Sequence, residues 1–399
     1  MLPQVCQQSW VGWMCRQSVW AALALLIVLS GCLGRLQPAD RLQLARDLAT
    51  RQLWQPAAAK EASAVRIALP DPRVLSLGRL PVGSDSPGPE GGVLLSWPGS
   101  ELRAQFHATR LTLELRTIGE VHFDIWIDDQ RSLLSPDRDA WRRYTLTGLE
   151  NRPHQLRLQK RTEAAAGTVE VRAIELAAGG GLLPPAALPS RRLEFIGDSM
   201  TVGACVLDDG AEDWGSRLRH CHRLSYAARV ADALSAQHRA IAVSGLGVRR
   251  SQVPFVAHDL FDRQLPRADS PVEPPDAFQP DAVIILLGHN DVLVSQRAGD
   301  AFPATFAADY VRLVRAVRRR YPRSLILCLT GGMHGSLASL PLRRAFRQAL
   351  AELQAQDPRI LSHRLAAWSF RHPRAHTQAA IAAEITPILR RYLGWSQPT

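Results

Sequence analysis

The stretch Leu193-Glu194-Phe195-Ile196-Gly197-Asp198-Ser199-Met200-Thr201-Val202-Gly203 decides how the second half of the chain folds. Its apolar start reads as a short buried strand, and Gly197 marks a turn that opens a helix. A serine at such a turn exposes its hydroxyl beside a helix N-terminus, where backbone N–H groups point outward. Further apolar runs at 240–243, 282–287 and 325–329 alternate with helical patterns at 224–234, 306–319, 342–354 and 379–392. This alternation predicts a parallel sheet covered by helices on both faces, an α/β domain over residues 186–399. Sites in such sheets open at the carboxyl ends of the strands.

Chemistry-bearing residues fall at those ends. The second strand runs into Ser244-Gly245-Leu246-Gly247, where a glycine lets a backbone N–H face a ligand. The third runs into Gly288-His289-Asn290-Asp291, and His372-Pro373 opens the last helix. A nucleophile, a base and three donors for a developing oxyanion are the requirements of acyl transfer. Gly-Asp-Ser alone commonly caps a helix or turns a chain; the reading rests on the blocks occurring together. Asp198 and Asp291 read as supports for neighbouring loops, and His289 as a cleft wall. Arg249 and Arg250 read as surface residues. His220-Cys221-His222 lacks a second ligand pair at metal spacing, so no metal is expected. No dinucleotide signature is present, and no cofactor is expected.

Upstream, the pattern changes to period two. Leu111, Leu113 and Leu115 alternate with polar residues, as do Phe123, Ile125 and Ile127, Leu156 and Leu158, and Val169 and Val171. Short alternating strands separated by turn signals predict an antiparallel β-sandwich over 67–180. Trp126 and Trp141 sit there and could stack on sugars or pack at the rim. The Gly- and Pro-rich stretch 178–185 reads as a linker.

The 399 residues are 46% hydrophobic and 21% charged, which excludes disordered and multi-span membrane classes. Net charge is +11, and only Lys60 and Lys160 are lysines. No aromatic-interleaved basic stripe accompanies the arginines, so nucleic acid is not an expected partner. A basic face would steer acidic polysaccharides or anionic membrane surfaces. Arg16 precedes an apolar run at 19–29, about the length of a signal-peptide core and too short to span a bilayer. Leu29-Ser30-Gly31-Cys32 follows and resembles the lipobox of bacterial lipoproteins. That resemblance implies a signal peptide over 1–31, lipidation at Cys32 and a lipid-anchored tether over 32–66. The implied location is the bacterial cell envelope, with the outer membrane favoured. Export places Cys205, Cys221 and Cys328 in an oxidising compartment. Cys205 and Cys221 bracket a polar loop and could pair as a disulfide.

The four blocks resemble those of the SGNH (GDSL-like) hydrolases, over roughly residues 190–395. The resemblance implies a flavodoxin-like α/β domain in which Ser199 is the nucleophile and His372 its general base. Ser199 and Gly245 N–H groups and the Asn290 amide would form the oxyanion hole. The family usually has an Asp three residues before the histidine, where this chain has Ser369. Either a backbone carbonyl orients His372 or another acid approaches through space. With the preceding jelly-roll-like sandwich, the chain is similar to carbohydrate esterase family 2. The stretches Leu158-Gln159-Lys160-Arg161-Thr162-Glu163-Ala164, Arg192 to Ser199, and Ser244 to Val248 carry that likeness. It implies removal of O-acetyl groups from a polysaccharide, an acetylated carbohydrate being the substrate and the lipid at Cys32 the link to the membrane. Rival readings are a short-chain lipid or aryl esterase, a glycan acetyltransferase, and a non-catalytic polysaccharide-binding lipoprotein that lost its acid.

Overall fold

The structure, a computed structural model, describes residues 38–48, 53–57, 63–81, 91–333 and 339–396. The expected signal peptide, residues 1–31, and Cys32 lie outside the described residues. Five parallel strands form the α/β sheet in the spatial order Gln237–Ala242, Arg192–Gly197, Ala282–Leu286, Leu325–Thr330, Ile360–Arg364. This is the doubly wound order, with its switch point beside the strand that leads into Ser199. Strand residues alternate between two cores. Leu193 and Phe195 pack with Tyr226, Ile381 and Ile385 on one face. Ile196, Ile285 and Cys328 pack with Phe306, Tyr310 and Leu313 on the other. The central strand Ala282–Leu286 is buried throughout, which is why it reads as an unbroken apolar run. Truncating Leu286 to Ala there would cost about 2–5 kcal/mol.

The helices follow their apolar spacing. In Phe306–Arg320 the buried residues Phe306, Tyr310, Leu313, Val314 and Val317 make one stripe, with arginines opposite. Ser225 caps Tyr226–Ala233 by accepting from Ala228 N–H. Among the described residues, no helix is long and apolar enough to cross a membrane.

The N-terminal half is an antiparallel sandwich of two six-stranded sheets. Leu111, Leu113 and Leu115 from one sheet meet Phe106, Ile125 and Leu158 from the other in a single core. The sandwich extends beyond 67–180 at both ends. Residues Val65–Ala68 pair with Gly167–Leu176, and Gly181–Leu183, read from sequence as linker, pairs with Glu101–His107. Part of the expected tether is also docked structure. Helix Pro38–Leu48 buries Asp40 and Asp47, and Asp47 pairs with Arg161 at 2.5 Å and Arg223 at 2.8 Å. Carboxylates meeting distant cations fix this helix, and no apolar periodicity announces such contacts.

Buried charges join the two domains. Arg161, wholly buried, also pairs with Asp124 at 3.2 Å and donates to Leu218 O at 2.8 Å. Arg79 reaches Glu194 at 3.0 Å and Glu273 at 3.1 Å. Removing one partner of such a pair would strand a desolvated charge, typically at a cost of about 3–5 kcal/mol. The domain arrangement is thereby fixed.

Candidate active site

Strand Arg192–Gly197 delivers Ser199 to its position. Asp198 caps the single turn Ser199–Val202 by accepting from Met200 N–H at 3.0 Å. A Cβ on Gly197 would stand 2.0 Å from Thr201 Oγ1, so only glycine lets the chain double back here. Ser199 Oγ lies 2.7 Å from His372 Nε2. The two are 173 residues apart in sequence, and the strand-end blocks bring them together.

The group that orients His372 is Glu212. Its Oε1 accepts from His372 Nδ1 at 3.0 Å and from the His372 backbone N–H at 2.6 Å. Partial burial works against ionisation of Glu212. Hydrogen bonds and charge from His372, with Arg374 nearby, outweigh it and hold the carboxyl at about 2. The acid is therefore supplied through space, the second of the two alternatives left open by Ser369. Ser369 turns its hydroxyl to Arg371 O instead. Arg374 pins the loop carrying Glu212 by donating to Cys205 O at 2.7 Å and Gly210 O at 2.9 Å. Trp214, on the same loop, sets its ring edgewise against His372 with centroids 5.0 Å apart.

The expected oxyanion donors gather at the same edge. Gly245 has φ +87°, and a Cβ there would come within 2.9 Å of Gln252 Cβ. The Asn290 amide nitrogen donates to Leu246 O at 2.9 Å and contacts Asp198 Oδ2 at 3.3 Å. Its oxygen accepts from Gln252 Nε2 at 2.7 Å, which fixes the amide's orientation. Asp291 accepts from the N–H groups of Val248, Arg249 and Arg250 at 2.7–2.9 Å and so holds the loop after Gly245. Burial pushes its carboxyl up to about 6 even against those donors. From the sandwich side, Glu163 takes Arg217 at 2.6 Å and accepts from Ser244 N–H at 3.3 Å.

Other expectations come out as follows. Cys205 and Cys221 are not bonded to each other; both are free and buried. Cys205 Sγ faces His220 Nε2 at 3.8 Å, and Cys221 Sγ faces Asp124 Oδ2 at 3.6 Å in the domain interface. Each thiol thus has its own polar neighbour. Donor atoms of Cys205, Glu212 and His372 lie within 4.8 Å of one another, the one described grouping with metal-ligand chemistry. A metal there would have to displace the His372–Glu212 bond, and burial pushes the Cys205 thiol up, away from thiolate. Arg250 pairs with Asp300 at 2.8 Å, a structural contact. Trp126 and Trp141 are stacked under Arg157 and Arg172 on the sandwich.

Comparison with known proteins finds relatives of both domains. Residues 86–185 match the family described as carbohydrate esterase 2 N-terminal, and residues 195–381 the GDSL-like lipase/acylhydrolase family. The chain is a two-domain GDSL-like acylhydrolase, close to carbohydrate esterase family 2. It is 28% identical to an acetylxylan esterase/glucomannan deacetylase of Cellvibrio japonicus (strain Ueda107), covering 82% of this chain and 91% of that one. It is 30% identical to the cellulase/esterase CelE of Acetivibrio thermocellus over 66% of this chain, but spans only 31% of that protein. The structure of a family-two carbohydrate esterase from Clostridium thermocellum, in complex with cellohexaose, superposes with TM-score 0.72 at 25% identity. That match covers 81% of this chain and 100% of that one. Sequence reasoning missed Glu212. Asp208, Asp209, Glu212 and Asp213 share its loop, and no spacing rule selects one of them.

Proposed function

We propose that this esterase removes acetyl groups from a carbohydrate through an acyl-enzyme on Ser199. The observation that carries the reading is the continuous chain from Ser199 Oγ through both His372 ring nitrogens to Glu212. His372 Nε2 takes the Ser199 proton as Oγ attacks the ester carbonyl, while Glu212 keeps Nδ1 protonated and offsets the imidazolium charge. The carbonyl oxygen becomes an oxyanion between the Ser199 and Gly245 N–H groups and the Asn290 amide. His372 returns its proton to the departing sugar hydroxyl. It then takes one from water as that water attacks the acetyl-serine, and gives it to Ser199 Oγ as the bond to the acyl carbon breaks and acetate leaves.

The relatives' acetylxylan and glucomannan activities support a sugar ester over a lipid or aryl ester. Glu212 supplies the acid whose absence at position 369 is the ground for a non-catalytic reading. The envelope location and the lipid at Cys32 belong to the same proposal, on the strength of the apolar run and lipobox-like residues alone.

The test is acetate release by residues 33–399 from 4-nitrophenyl acetate and acetylated xylan, beside Ser199→Ala. Release that vanishes in the variant is expected. Equal release by a folded variant would overturn the assignment of the nucleophile. Membrane extraction of the full chain, with Cys32→Ser alongside, tests the anchor.

A further inference from the structure

We infer that the cleft beside Ser199 continues into a groove that binds carboxylates, so that the acetyl esters presented are those of an acidic, uronate-containing glycan. The inference rests on the esterase reading above and names its substrate class.

A cleft of about 460 Å³ is bounded by His289, Gly332, Met333 and Trp368. It lies near the catalytic residues: His289 precedes Asn290 and sets its Nδ1 3.8 Å from Asp198 Oδ2, next to Ser199, and Gly332 O accepts from Ser369 N–H. A second cavity of about 650 Å³ continues it, and the two share Thr330, Arg343 and Arg364. The continuation is also lined by Arg344 and Arg347. Arg343, Arg344 and Arg347 come from helix Leu340–Gln356, and Arg364 ends strand Ile360–Arg364. Neither lining contains Asp or Glu.

The arginines of this chain usually find carboxylates. Near the same helix, Arg315 pairs with Glu352 at 2.9 Å and Arg318 with Asp357 at 2.6 Å. In the groove, no ion pair forms at Arg343, Arg344, Arg347 or Arg364 among the described residues. Arg343 is half-buried, and its Nε is buried without a hydrogen-bond partner. A donor withdrawn from water and left unsatisfied is costly. A planar carboxylate is the group a guanidinium fork satisfies best. Four cations spread along a groove, rather than converging on one point, fit charges repeated along a polymer. The groove joins the cleft that His289 lines beside Asp198, so the charges would hold the chain while an acetyl group on it reaches Ser199.

Acetate release from O-acetylated polygalacturonate and O-acetylated xylan would be measured at low and high NaCl for the wild type and an Arg343→Gln/Arg364→Gln double variant. The readout is the ratio of kcat/KM, acidic over neutral polymer, in which partial loss of folded enzyme cancels. The ratio should favour the acidic polymer at low salt and fall about tenfold in the double variant, with a similar fall in high salt. A ratio unmoved by both changes would overturn the groove. Binding of unacetylated polygalacturonate to Ser199→Ala, with and without the arginine changes, separates the two readings. Arginine-dependent binding, with no acetate released from either polymer by the folded wild type, would retain the groove and sink the esterase. No binding, with acetate still released from xylan, would retain the esterase and sink the groove.

Discussion

One carboxylate oxygen, Glu212 Oε1, accepts from both the ring Nδ1 and the backbone N–H of His372, at 3.0 and 2.6 Å. The double contact fixes the position of the residue as well as the tautomer of its ring. Glu212→Gln should keep an acceptor near His372 but lose the charge that supports the imidazolium. The expected result is a fall in kcat of about 10²- to 10⁴-fold with little change in KM. Ser369→Ala should leave kcat unchanged. Steady-state kinetics on both variants check this, and wild-type turnover in Glu212→Gln would contradict the assignment.

Two acids at the site should leave opposite marks on stability against pH. Glu212 titrates at about 2 when folded, below the ~4.3 of a free glutamate. Its contribution is therefore present above about pH 4.3 and lost as pH falls towards 2. Asp291 titrates at about 6 when folded, above the ~3.9 of a free aspartate. The folded chain holds that proton more tightly, so its contribution is complete at low pH and declines as pH rises from about 4 to 6. In denaturant titrations, the deficit of Glu212→Gln should shrink on acidification. Asp291→Asn should flatten the wild-type decline between pH 4 and 6. Deficits independent of pH in both variants would rule out these shifts.

Asn290 depends on a second amide. Gln252 donates to its oxygen at 2.7 Å and is itself held by Arg297 at 2.7 Å. Asn290→Ala should lower kcat by about 10²–10³-fold as one oxyanion donor disappears. Gln252→Ala leaves the donor in place but free to turn, and should cost about tenfold or more in kcat at unchanged KM. The double variant should be no worse than Asn290→Ala alone, because the second change acts through the first. Additive losses would show that Gln252 has a separate task.

The cysteines make a simple chemical prediction. Cys205, Cys221 and Cys328 are all buried and free. Without reductant, a thiol reagent should label residues 33–399 slowly when folded and at three positions on unfolding. Labelling at one position only would mean that Cys205 and Cys221 had paired after all.

Legibility in the sequence followed the kind of force involved. Strands buried on both faces, such as Ala282–Leu286, advertise themselves as apolar runs. Strand Ile360–Arg364 does not, because it closes the sheet's edge and exposes Ser362 and Arg364. Ser199, Gly245, Asn290 and His372 were readable because each sits in a short block at the end of a strand or the start of a helix. Glu212 was not, since its partner is 160 residues away and its own loop has no periodic pattern. The docking of Pro38–Leu48 escaped notice for the same reason: Asp40 and Asp47 act across the tertiary structure.

The reach of Glu163 from the sandwich to Ser244 N–H and Arg217 bears on how such an enzyme can be rearranged in evolution. A carbohydrate-binding appendage joined by a linker can be lost, duplicated or exchanged without touching the chemistry next door. Here the neighbouring domain helps to shape the strand-end loop proposed to receive the oxyanion. Recombination that separated the two halves would deliver an acylhydrolase with a slack catalytic edge, so the pair should travel between genomes as one indivisible cassette.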